Sequence, residues 1–198
     1  MTAEPAQPSP VHRRVIEFDA YDDGDDLRVV GRLRDLRPWL EDKPMSVLHD
    51  IELDVVVRKS DQQIVDARAT MHSYPHTECP LIEPAFADLV GLSVARGYVS
   101  EVQRRFGGAR GCSHIEQLAR ALGPAVIQAI TSSRARAGQL MNTSGPVATS
   151  IAWLRNTCHV WAEDGYGETK LALGWRPKTD GPYPAPPVEE IRRAAEQP

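Results

Sequence analysis

The stretch Leu48-His49-Asp50-Ile51-Glu52-Leu53-Asp54-Val55-Val56-Val57-Arg58 decides the fold. Ile51, Leu53, Val55 and Val57 fall on one side of an extended chain and Glu52, Asp54 and Val56 on the other, which predicts a strand with one buried face. Ser60-Asp61-Gln62-Gln63 turns the chain, and Ile64 to Met71 runs back as a second strand, so the centre of the protein is expected to be a hairpin. Working outward to the N-terminal side, Arg14 to Ala20 and Leu27 to Asp35 are two more runs rich in β-branched residues, joined by the acidic turn Tyr21-Asp22-Asp23-Gly24-Asp25-Asp26. They predict a second hairpin. The aspartates of its turn lack the twelve-residue ligand spacing and the closing Glu of a calcium loop, so the turn reads as solvated.

Outward to the C-terminal side, the period changes. Pro84 suits a first helical turn, Phe86, Leu89 and Val90 mark an apolar stripe, and Gly91 stops it. Tyr98 to Phe106 predicts a short helix closed by Gly107-Gly108. Ile115, Leu118, Ala119, Leu122, Val126, Ala129 and Ile130 recur at helical spacing and predict a long helix, with Ser113 and Glu116 as a capping box and Pro124 as a place for a kink. A short helix over Ala148 to Arg155 is expected next, and then a closing hairpin of two strands, Cys158 to Ala162 and Glu168 to Trp175, joined at Asp164-Gly165. Strands followed by helices define the class as α+β, with an antiparallel sheet packed against helices.

A chain of 198 residues with 41% hydrophobic content supports one soluble domain and needs no disulfide framework. Residues 1–11 are read as a disordered lead, 12–176 as a single domain, and 177–198 as a proline-rich tail in which Val188 to Gln197 has the pattern of a short polar helix. The formal net charge of −4 argues against a phosphate-backbone partner. No run reaches the roughly 18 apolar residues of a membrane helix, and MTAEPAQPSP has no basic or apolar leader pattern, so a cytoplasmic protein is expected.

Each of the three cysteines has a histidine within three residues: His76 and Cys79, Cys112 and His114, Cys158 and His159. Thiolate and neutral imidazole are the preferred ligands of zinc and iron, which makes Cys79, Cys112 and Cys158 the candidate metal ligands, with His114, His76 and His72 as further donors. There is no CxxC, so such a site would be assembled by the fold rather than by a local knuckle. Cys112 stands immediately before the long helix, where free N–H groups and the positive helix end stabilise a thiolate. That position suits a nucleophile as well as a ligand, with His114 or Glu116 as proton carrier. The glycine-rich run Phe106 to Cys112 is neither GxGxxG nor a P-loop, and GxSxG is absent, which excludes a standard nucleotide loop and a serine-hydrolase elbow.

Taken together, His12-Arg13-Arg14, His49-Asp50-Ile51, Cys79-Pro80, Pro84-Ala85-Phe86, Leu89-Val90-Gly91-Leu92, Gly107-Gly108-x-x-Gly111-Cys112-x-His114 and Thr157-Cys158-His159 resemble an uncharacterised bacterial family of unknown function. A more distant resemblance is to the IscU/NifU-type iron-sulphur scaffolds. It rests on the central hairpin, a cysteine after it at Cys79 and a cysteine opening the long helix at Cys112. It implies an IscU-like core and a zinc ion or iron-sulphur cluster held by cysteines. The functional expectation is therefore a zinc- or iron-binding accessory or scaffold-like protein. The alternatives are a cysteine-dependent enzyme acting on an electrophilic small molecule through Cys112, and a structural zinc domain that presents a surface to a protein partner.

Overall fold

The computed structural model describes residues 10–41, 43–95, 97–139, 154–178 and 180–196. The fold is α+β, with a four-stranded antiparallel sheet in the order β1-β2-β3-β4. The strands are β1 Arg13–Asp23, β2 Asp26–Leu36, β3 Val47–Arg58 and β4 Ile64–Ser73, so both expected hairpins form, each strand a residue or more longer than its apolar pattern. The odd-numbered positions Leu27, Val29 and Leu33 of β2 and Ile51, Leu53, Val55 and Val57 of β3 are fully buried, as the alternation requires.

On the opposite face the strands are laced by ion pairs, Arg28 to Asp54, Arg32 to Asp50 and Arg34 to Glu17. An antiparallel sheet can keep one face solvated in this way.

The buried face packs on α1 (Tyr98–Phe106) and α2 (Ser113–Arg136), through Tyr98, Val102, Phe106, Ile115, Leu118, Leu122 and Val126. Beyond β4, residues Cys79–Leu89 form a 3-10 helix, and Gly91, at φ 87, redirects the chain as its stop signal predicts. This segment covers the β4 edge: Gly91 N–H donates to the Ile64 carbonyl, Ile64 N–H to Leu92, and Met71 N–H to the Glu83 carboxylate at 2.6 Å. A sheet edge left open would present unpaired backbone groups.

The chain divides into two compact units, Met1–Ile130 and Thr131–Pro198, with α2 running from one into the other. The stretch 12–176, read from the sequence as one domain, spans both.

In the second unit the expected closing hairpin is replaced by helices. His159–Trp161 is a 3-10 turn and Tyr166–Ala172 is α3. Glu168, Lys170, Leu171 and Ala172 are strong helix formers, and their propensity outweighs the weak alternation that suggested a strand. Gly167 admits the Trp161 ring, since a Cβ there would lie 2.5 Å from a ring carbon. The C-terminal segment read as a tail carries α4 (Val188–Ala195), with Ile191 buried. Of the helix expected over Ala148 to Arg155, residues 148–153 lie outside the described residues, and Leu154 and Arg155 stand in a turn.

Gly31 is the point at which β1, β2 and α2 meet. A Cβ on it would lie 2.5 Å from the Phe18 ring and 3.2 Å from the Leu118 side chain. Gly31→Ala should therefore cost about 1–3 kcal/mol by forcing apart a packed contact. Urea unfolding followed by circular dichroism measures this, and an unchanged midpoint would contradict the packing.

Candidate functional site

The inward phase of the sheet is apolar until its end, where it becomes polar. Asp35 continues the series Leu27, Val29, Gly31, Leu33 on β2, and His49 precedes Ile51, Leu53, Val55, Val57 on β3. The register pairs Arg14 with Asp35 and Asp35 with His49, so the three side chains form a row across β1, β2 and β3. The β2–β3 register shifts between Asp35 and Leu36. Irregularities of this kind re-aim side chains beside functional sites.

A fourth member comes from α2. A Cβ on Gly111 would lie 2.4 Å from the Phe106 carbonyl oxygen, so glycine there permits the tight approach that delivers Cys112 to the helix start. Glu116 N–H donates to the Cys112 carbonyl at 2.8 Å. That bond puts Cys112 in the cap position and Ser113 in the first turn, one residue earlier than the capping-box pattern places the start. His114, also in the first turn, reaches the end of the row.

All these groups converge on one carboxylate. The Asp35 side chain is 2% exposed, and Arg14 grips it with two bonds, Nε to Oδ1 at 2.7 Å and Nη2 to Oδ2 at 2.6 Å. His12 Nε2 lies 3.2 Å from Oδ1, His49 Nδ1 3.0 Å from Oδ2, and His114 Nε2 3.5 Å from Oδ2. The His49 and His114 rings approach to 3.8 Å between centroids. Arg14 reaches further, its Nη1 donating to the Gln117 side chain on α2 at 2.5 Å. On the far side of the His114 ring, Nδ1 lies 3.7 Å from Cys112 Sγ.

Electrostatics follow from this packing. Burial of Asp35 would raise its carboxyl, but the paired bonds and charge of Arg14, the His49 bond and the nearby His114 outweigh it and hold the group below the ordinary carboxylate range. Burial pushes the His114 imidazole below its usual value. The charges of His49 and Arg14 push the same way, against the opposing pull of Asp35. His114 is thereby kept as a neutral imidazole near neutral pH, the form that can bind a metal or accept a proton.

A carboxylate offers about four lone-pair directions. Arg14 takes one on each oxygen, and the second direction on Oδ2 is the one on which His49 and His114 converge. Donor atoms of Asp35, His49 and His114 lie within 4.8 Å of one another. A tetrahedral ion bound at about 2.0–2.2 Å holds its nitrogen and oxygen ligands roughly 3.4 Å apart, close to the 3.0 and 3.5 Å already present at Oδ2.

Of the residues singled out from sequence, the structure joins Cys112 and His114 to this cluster. Cys79 opens the 3-10 helix of the first unit, partly buried against the core, and its N–H donates to the carbonyl of His76, which is exposed. His72 is on the solvated face of the sheet, 3.8 Å from Glu52. Cys158 is exposed in the second unit. Glu116 faces an open groove of about 480 Å³ with Val99, Ser113, Gln117, Arg120 and Ala121, and lies 3.6 Å from Arg120. Among the described residues, the metal-competent grouping contains no cysteine. Asp35, His49 and His12 were not among the candidates from sequence. The available signal was two polar residues in the inward phase of neighbouring strands.

The fold and site define an α+β domain with an imidazole–carboxylate centre at the end of its sheet. Residues 12–128 match the family described as "protein of unknown function (DUF2889)", and the chain belongs to that family. The match takes in every member of the cluster. No curated protein and no solved structure matches the chain. No helix among the described residues is long and apolar enough to cross a membrane.

Two outcomes follow from this geometry. Asp35→Ala strips Arg14 and His49 of their shared acceptor and should cost about 1–3 kcal/mol in urea unfolding. Arg28→Ala, which removes an exposed ion pair on the solvated face, should cost much less. A smaller loss for Asp35→Ala than for Arg28→Ala would contradict the hub.

In metal-free protein, the lowered His114 means that the unfolded chain takes up its proton first as pH falls below about 6.5, so stability should decline from there downward. Asp35 adds a further decline below about pH 3.9, where its unfolded form protonates while the folded form resists. The groups facing His114 are Arg14 from β1, Asp35 from β2, His49 from β3 and Cys112 from the helix start. His114→Gln should flatten the slope between about pH 6.5 and 5 in chelator-treated protein. An unaltered slope would show that His114 does not carry it.

Proposed function

We propose that this chain binds one divalent transition-metal ion, zinc or iron(II), through Asp35, His49 and His114, and uses its open coordination positions on a small-molecule substrate. The observation that carries this reading is the Asp35 Oδ2 atom, on which two imidazole nitrogens converge at 3.0 and 3.5 Å beside the Arg14 bond. Two imidazoles and a carboxylate form the donor set of mononuclear zinc and non-haem iron sites that keep positions free for a reactant. The two hydrogen bonds from Arg14 to Asp35, with the His12 ring 3.2 Å from Oδ1, supply the outer support that ligating carboxylates require. Because Arg14 balances the charge of Asp35, a bound dication keeps its positive charge. That favours hydroxide or an anionic substrate oxygen in the open positions.

An iron-sulphur scaffold demands several thiolates on one centre. The converging donors here are nitrogen and oxygen, so a mononuclear ion is the better match.

A second reading has its own support. Cys112 Sγ, His114 Nδ1, His114 Nε2 and Asp35 Oδ2 follow one another with gaps of 3.7 and 3.5 Å, which is the order of a nucleophile, a base and the group that orients it. In that reading His114 takes the thiol proton and Cys112 attacks an electrophilic carbon.

The two separate cleanly. Protein dialysed against zinc or iron(II) should retain about one ion per chain by elemental analysis, and His49→Ala and His114→Ala should each lose it, while Cys158→Ala keeps it. Retention of the ion by the His49→Ala, His114→Ala double variant would refute the metal site. Alkylation of Cys112 in metal-free protein many times faster than that of the exposed Cys158, and slowed by His114→Ala, would favour the nucleophile.

A further inference from the structure

Resting on the metal reading, we infer that Cys112 is the outer partner that positions His114 for the ion, so that metal retention depends on the state of the Cys112 thiol. The two nitrogens of the His114 ring face different groups. Nε2 points to Asp35 Oδ2 at 3.5 Å, on the side where His49 also converges, and Nδ1 points to Cys112 Sγ at 3.7 Å. An imidazole that gives its Nε2 lone pair to a metal carries its proton on Nδ1, and that N–H requires an acceptor. The sulfur of Cys112 is the acceptor in place, within the range for a hydrogen bond to sulfur.

The backbone fixes this partnership. Cys112 caps α2 and His114 lies two residues later in the same first turn, so thiol and ring are set by one stretch of main chain. Glycine at 111 is what lets that stretch approach the Phe106 carbonyl so closely. Cys112 is partly buried against the core, yet not sealed from solvent, so a small reagent can reach it.

Outer partners of metal-bound histidines are worth about 10- to 100-fold in affinity. Removing the acceptor, or blocking it by alkylation, in which the thiol releases its proton to solvent, sulfur forms a bond to carbon and iodide leaves, should weaken the site by that factor without removing a ligand.

The experiment uses the full chain loaded with cobalt(II) as a spectroscopic stand-in for zinc. Wild-type protein should show tetrahedral or five-coordinate d–d bands without the intense near-ultraviolet thiolate-to-cobalt charge transfer. Cys112→Ala should bind cobalt about 10- to 100-fold more weakly, with Cys112→Ser restoring part of the loss, and iodoacetamide-treated wild type should match Cys112→Ala. Metal-free melting temperatures of the variants separate an affinity change from a folding defect.

A charge-transfer band that disappears in Cys112→Ala would make Cys112 a ligand and overturn the inference, as would unchanged affinity in Cys112→Ala. Failure of the underlying metal reading is distinct: wild type itself would bind no cobalt, or His49→Ala would bind it as tightly as wild type.

Discussion

A carboxylate buried at the end of a sheet is the constraint around which the first unit is organised. Asp35 cannot be left alone in an apolar layer, because an unpaired buried charge costs several kcal/mol. Its neutralisation recruits Arg14 from β1, and that bond fixes the register of the outer strand on β2. It also holds a hydrogen bond with His49 from β3 and draws His114 from α2 and His12 from just before β1 to within 3.5 Å. Three strands and the long helix thus share one polar junction, while the hydrophobic contacts of Leu33, Ile51, Ile115 and Leu118 hold them together around it. Replacing the junction by apolar residues of equal volume would satisfy packing, so its polarity is a property that stability alone does not demand.

The four strands and two helices of the first unit were legible because each buries one face and exposes the other. Period-two alternation in Leu27 to Asp35 and in Leu48 to Arg58, and the helical spacing of Ile115 to Ile130, are direct imprints of that geometry. The second unit was misread where the signal was weak. Glu168 to Trp175 has a few alternating apolar residues, and Thr169 is its only β-branched one; helix propensity and the Trp161 contact at Gly167 decide the outcome there. In the C-terminal stretch, prolines concealed a buried anchor, Ile191.

The site was legible only in part, for a similar reason. Proximity in sequence drew attention to cysteine–histidine neighbours, and one such pair, Cys112 and His114, does lie in the cluster. The other donors come from separate strands, where a lone Asp35 or His49 looks like any polar residue flanking a strand. Only phase distinguishes them. Residues 35 and 49 fall on the inward side of their strands, in register with Leu33 and Ile51, and a polar residue there needs a partner across the sheet. The pairing that unites them, Arg14 to Asp35 to His49, depends on strand register, which no single strand's pattern carries.

The central claim is that nitrogen and oxygen donors, not the cysteines, hold an ion at this junction. X-ray absorption fine structure of the zinc-loaded protein reads that directly. The account predicts a first shell of light atoms alone at about 2.0–2.2 Å, with the outer-shell scattering of two imidazoles. A sulfur shell at about 2.3 Å would contradict it and return the site to the cysteines.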